Sequence, residues 1–183
     1  MKFVTRNRID HVMAEIKAAS SYKAVNAVLA PFRRGPDNVS VVGEYRLQFG
    51  TLNNLQRECD GLMRVQHLNL SSAPRVVELL HKDELYGVLI TRIDGVRDAE
   101  LRSEAFGAGE PLTTDEVRAS LRADVEKLRE AGMWNHAFER GGCWYLNPET
   151  KRVFISPWFP VVATEARALQ EGSAQVLRMI DHA

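Results

Sequence analysis

At 183 residues the chain is long enough for one domain, or for one domain made of two small lobes. Hydrophobic residues make up 45% and charged residues 26%, and 24 basic side chains balance 24 acidic ones. A formal net charge of zero argues against the broad basic footprint of a nucleic-acid binder.

No run approaches the apolar length of a membrane span, and the opening MKFVTRNRIDHVMAEIK is broken by charges too early for a secretion signal. A cytoplasmic protein with no membrane contact is expected, with export by a route that cleaves no signal left open. Cys59 and Cys143 are far apart and lack metal-ligand spacing, which reads as free thiols in a reducing compartment. His11, His67, His81, His136 and His182 are scattered, so no metal site is expected.

Residues 8–19 place Ile9, Val12, Met13 and Ile16 at helical spacing, which predicts an amphipathic helix ending at Ser20-Ser21. A hairpin is expected next: a strand over YKAVNAVLAPF, a turn at RRGPDN, and a strand over VSVVGEYRLQF. Thr51 or Asn53 can cap a helix over roughly residues 52–68, with Leu55, Leu62, Val65 and Leu68 as its stripe and Glu58 near it. After Ser-Ser-Ala-Pro, RVVELLHKD and LYGVLITRI read as two strands closed by Asp94-Gly95. Residues 96–112 read as a polar connection with a helical turn at RDAELR. A helix follows, capped by Thr113 or Thr114, with Val117, Leu121, Val125 and Leu128 along one face and Gly132 at its end. Two short strands flank Asn-Pro-Glu-Thr, and a last helix lies within residues 164–182.

Three stretches resemble the protein-kinase-like fold. YGVLITRIDG is similar to the strand that ends in an Asp-Gly pattern before the interlobe linker. Leu128-Arg129-Glu130-Ala131-Gly132 is similar to the LHxAG end of the helix before the catalytic loop, and NPETKRVFIS to the hairpin that carries the metal-binding aspartate. The likeness spans about residues 22–158 and is most specific over 117–158. It implies an α+β, small two-lobed kinase-like fold, with an antiparallel N-lobe sheet over residues 1–95 and a truncated helical C-lobe over 96–183.

The resemblance also says where catalytic residues belong, and this chain departs from it. Counted back from Asn147, His136 stands at the histidine of HxD, Phe138 at the catalytic aspartate and Cys143 at the metal-binding asparagine. Ser156 begins the triplet at the second metal-binding aspartate, and the strand lysine falls at Gly43 or Glu44. Glu58 matches the helix glutamate, with its lysine partner missing, and no glycine-rich loop precedes it.

Four losses leave no magnesium cage. The resemblance therefore implies a catalytically inactive, pseudokinase-like module that binds another protein, with no cofactor and an undetermined oligomeric state. The alternative is a divergent phosphotransferase using ATP and magnesium through Glu58, Glu139 or Asn147.

Asn135, Glu139 and Asn147 otherwise read as solvent-facing turn caps. His136 reads as a core or hydrogen-bonding histidine with no carboxylate at a supporting spacing, and Cys143 as a buried, inert thiol. Among the aromatic residues around the loop, Trp158 and Phe159 are expected to be exposed, presented by the two prolines of SPWFPVV as a partner surface.

Overall fold

Ile9, Val12 and Ile16, spaced along one face of the first helix, meet the apolar face of a sheet, and that contact organises the first part of the chain. The structure, a computed structural model, describes residues 2–33, 39–92, 102–103, 115–139, 144–146, 153–155, 158 and 166–182. Among these residues the architecture is α+β. The elements are α1 (Lys2–Ala18), α2 (Tyr22–Leu29), β1 (Val39–Val42), β2 (Tyr45–Thr51), α3 (Leu52–Val65), β3 (Arg75–His81), β4 (Tyr86–Arg92), β5 (Arg102–Ser103), α4 (Asp115–Glu130), β6 (Trp144–Leu146), β7 (Val153–Ile155) and α5 (Ala166–His182). The chain divides into two compact units, Met1–Cys59 with Arg75–Glu100, and Asp60–Pro74 with Leu101–Ala183. The end of α3 and the loop after it, assigned from the sequence to the first lobe, fall in the second unit.

In the first unit four antiparallel strands run in the order β1-β2-β4-β3. Side chains alternate across a strand, so the pairs Leu47↔Ile90 and Phe49↔Val88 share one face. Val42, Leu47, Phe49, Leu80, Val88 and Ile90 on that face pack with Ile9, Val12 and Ile16 of α1 and with Val25 and Leu29 of α2. The opposite face carries Arg46, Gln48 and Thr91, and Leu55 of α3 lies near Gly50 there.

Two expectations for this unit are corrected. YKAVNAVL is a helix and not a strand, because Val25, Val28 and Leu29 recur at the i, i+3, i+4 spacing of a helical face and Ser21 accepts from the Ala24 N–H at 3.2 Å. The hairpin is instead made inside VSVVGEYRLQF. Val42 pairs with Tyr45, leaving Gly43 and Glu44 as a two-residue loop, and Gly43 takes the φ of +60° that such a turn demands. The expected turn at RRGPDN lies, beyond Arg33, outside the described residues.

In the second unit α4 ends as its sequence predicts. Gly132 sits at φ +65°, its N–H donates to the Arg129 carbonyl at 3.0 Å, and the Met133 N–H donates to the Leu128 carbonyl at 2.9 Å. That is the Schellman arrangement, which satisfies carbonyls the helix leaves orphaned. Leu121, Val125 and Leu128 are buried along α4, and Leu169, Val176 and Ile180 along α5, which packs on it. β5, β6 and β7 form an antiparallel sheet in that order. Arg102 is therefore in a strand rather than a helical turn. The expected caps Thr113 and Thr114 lie outside the described residues.

One carboxylate ties this unit together. Asp124 of α4 is 1% exposed and accepts four hydrogen bonds, from the Ser71 N–H (3.0 Å) and Oγ (2.9 Å) and from the Ser72 N–H (2.7 Å) and Oγ (2.7 Å). The Ser72 carbonyl in turn accepts from the Ile155 N–H of β7 at 2.8 Å. Lys127, one turn after Asp124, donates to the carbonyl of Asn69, whose φ is +49°. Replacing Asp124 by Ala strands buried donors, with an expected loss of about 3 kcal/mol, against about 1 kcal/mol for Ser71→Ala. Chemical denaturation of the two variants checks the ranking. Equal losses would show that the carboxylate is not the organising group.

Candidate functional site

The stretch after α4 turns a charged helix end into an aromatic core. Asn135 is buried; its Oδ1 accepts from the Ala137 N–H and its carbonyl from the Phe138 N–H, each at 3.0 Å. It caps the 3-10 turn His136–Glu139, as expected, but from inside the protein rather than from solvent. Phe138 is fully buried, 5.8 Å from the Trp134 ring and 5.7 Å from the Trp158 ring, the latter edge-on at 84°. Ring pairs at these distances are favourable beyond the area they bury.

Trp158 corrects an expectation. It is fully buried, and its indole N–H donates to the Ile155 carbonyl at 2.8 Å. Its single polar atom finds a backbone partner next to β7, so the ring is free to enter the core and presents nothing to a partner. Phe159, Cys143, Ser156 and Asn147 lie outside the described residues.

His136 and Glu139 correct another. Glu139 supplies the carboxylate whose support was not expected from the spacing, with Oε1 2.9 Å from His136 Nδ1. The reason is local: a 3-10 turn has three residues per turn, so side chains at i and i+3 stand on the same side. His136 is thus exposed and hydrogen-bonded rather than part of the core. The same Glu139 oxygen accepts the Trp134 indole N–H at 2.6 Å. His-x-x-Glu, starting four positions beyond the helix-stop Gly132 and directly after Asn135, is the sequence signal for this pair once a 3-10 turn is assumed.

Gly172 of α5 closes over this pair. A Cβ there would lie 2.8 Å from Trp134 Nε1 and 2.9 Å from Glu139 Oε1, closer than such atoms approach. Gly172→Ala is therefore expected to cost about 1–3 kcal/mol, although alanine is the better helix former. A thermal melt no lower than that of the parent protein would overturn the close packing.

The first unit holds a second group of polar side chains. Gly43 and Glu44 are in the hairpin turn, where Glu44 Oε2 accepts from Arg92 Nη2 at 2.8 Å and Nε at 3.1 Å, so neither stands at a strand position. The basic partner of Glu58 exists. It is Arg46 of β2, with Nη1 3.4 Å from Glu58 Oε1 and both side chains buried. Counting Gly43 and Glu44 as strand hides it, because the pairing residue stands two positions beyond Glu44. Gln48 Oε1 and Thr91 Oγ1, on the same sheet face, are buried with no hydrogen-bond partner among the described residues.

Removing one member of a buried ion pair takes away much of what compensates the other's charge. Arg46→Met is expected to cost about 3–5 kcal/mol, and the double change Arg46→Met with Glu58→Met markedly less. A double-mutant cycle checks this, and strictly additive losses would show the two groups to be uncoupled.

Chemically, the Arg46–Glu58 pair is a structural ion pair, sheltered from solvent. His136 with Glu139 is the exposed acid–base pair of the second unit. Among the described residues no three His, Cys, Asp or Glu side chains gather so as to hold a metal ion. No family model, curated protein or solved structure matches the chain.

Proposed function

We propose that this chain is a kinase-like module without phosphotransfer activity that works by binding another protein. The reading rests chiefly on Phe138. At the position the resemblance assigns to a catalytic aspartate stands a fully buried phenyl ring, wedged between Trp134 and Trp158. A group that must touch a substrate hydroxyl cannot act from there, and no side-chain rotation turns a phenyl ring into a base.

The Arg46–Glu58 pair supports the same reading from the other unit. It is a cation–carboxylate pair joining a sheet strand to the helix that follows, as the resemblance asks, with arginine in place of lysine. Its guanidinium is buried against Glu58, away from any phosphate in solution. On this reading a cation–carboxylate pair is retained, while the position of the catalytic aspartate is taken over by core.

Apolar surface for a protein contact lies elsewhere than Trp158. Leu85 is 68% exposed in the loop between β3 and β4, and Asp83 Oδ1 fixes that loop by accepting from the Leu85 and Tyr86 N–H groups at 2.8 and 2.7 Å. Tyr22, itself exposed, meets Phe49 in a tilted pair at 4.8 Å and Tyr86 edge-on at 5.0 Å.

Thermal unfolding with ATP and magnesium, manganese or EDTA tests the proposal. A ligand at a hundred times its dissociation constant would add about 2.7 kcal/mol. No shift is expected under any of these conditions. A cation-dependent rise would overturn the reading in favour of a divergent phosphotransferase. Phe138→Asp is expected to lower stability by several kcal/mol, since it buries an unpaired carboxyl group.

A further inference from the structure

The binding reading leaves the His136–Glu139 pair without a role, and its geometry assigns different tasks to the two ring nitrogens. Nδ1 lies 2.9 Å from Glu139 Oε1, and a carboxylate only accepts, so Nδ1 carries the hydrogen. In the neutral ring the lone pair is then on Nε2, and the side chain is 69% exposed. A free imidazole in water favours the opposite form, with hydrogen on Nε2, so Glu139 reverses the ordinary preference. The carboxylate is itself held, by the Trp134 indole N–H at 2.6 Å and by the close approach of Gly172. His11 offers an internal contrast: its Nε2 is the atom that faces a carboxylate, Glu15, at 3.5 Å on an exposed helix face.

We propose that His136 is a nucleophilic acylation site, taking the acyl group of a neutral, activated donor of the anhydride class on Nε2. The Nε2 lone pair forms a bond to the donor's carbonyl carbon. The bond from that carbon to the leaving oxygen breaks, and the oxygen keeps the pair. The acylimidazolium then gives its Nδ1 proton through Glu139 to water and becomes a neutral N-acylimidazole. Nothing is oxidised or reduced. The class is acyl because a neutral anhydride carries its own leaving group and asks nothing of the site beyond the Nε2 lone pair.

The test uses the full chain and two readouts. Nitrogen NMR of the neutral imidazoles should show His136 with hydrogen on Nδ1, and hydrogen on Nε2 would overturn the proposal before any variant is made. Diethyl pyrocarbonate, a neutral anhydride, is then applied at neutral pH and the products are mapped by mass spectrometry. His136 is expected to react several-fold faster than His11, His67 and His81. Glu139→Ala should bring it down to their rate while theirs is unchanged. Equal rates in the parent protein, or an unchanged His136 rate in a folded variant, would overturn it. Should Glu139→Ala fail to fold, the tautomer and the ranking in the parent protein decide alone. Neither readout depends on whether the chain binds nucleotide.

Discussion

Asp124 is a carboxylate taken almost wholly out of water, and the second unit depends on what makes that tolerable. Burying an ion costs several kcal/mol even after the protein relaxes around it. Four hydrogen bonds from Ser71 and Ser72 offset that cost, each strengthened by the charge it meets. The bonds also specify geometry. Both backbone N–H groups of consecutive serines must converge on one carboxylate, which fixes the loop between α3 and β3, and the Ser72 carbonyl is then placed to pair with Ile155 of β7. A helix, a loop and a strand distant in sequence are thus registered by one side chain, which an apolar residue of the same size could not do.

The first unit solves a related problem less completely. Arg46 and Glu58 pair between sheet and helix, yet Gln48 Oε1 and Thr91 Oγ1 on the same face are buried without partners among the described residues. Unmet polar atoms in a region of low dielectric are costly, and apolar burial on both faces, at Leu55 and Leu89 on this one and in the core on the other, offsets that cost. The polar face contributes specificity of register at some cost in free energy.

Periodic elements were legible in the sequence, and punctuation was less so. α1, α3 and α4 follow from apolar spacing along one helical face, and β3 and β4 from runs of apolar and β-branched residues. The Gly132 stop follows from the need for positive φ. YKAVNAVL was misread because valines favour strands, while its Val25–Val28–Leu29 spacing marks the helix it forms against α1 and the sheet. The tight turn at Gly43-Glu44 was hidden inside a run that alternates well enough to look continuous. Pairings such as Asp124 with Ser71 and Ser72, 52 or 53 residues apart, leave no local pattern at all. Arg46–Glu58 is visible only with the turn placed at Gly43-Glu44, and the prolines beside Trp158 suggest a presentation that its burial contradicts.

The buried ring at Phe138 and the exposed ring at His136 stand two residues apart, and the contrast between them bears on what this loop is for. A loop of a few residues can place one side chain in the core and the next in water only if its backbone is fixed, and Asn135 fixes it by accepting from the N–H groups of Ala137 and Phe138. The Trp134–Phe138–Trp158 stack then anchors the loop as packing alone would. Glu139 does something packing does not require: its one oxygen joins a core indole to a surface imidazole. Had the loop been merely structural filler, the Trp134 N–H could have been satisfied by a backbone carbonyl, as the Trp158 N–H is by Ile155. Spending a carboxylate there instead couples the orientation of a solvent-facing histidine to the rigidity of the core. The proposed loss of phosphotransfer chemistry and the presence of an ordered imidazole at the surface are therefore compatible consequences of the same aromatic packing.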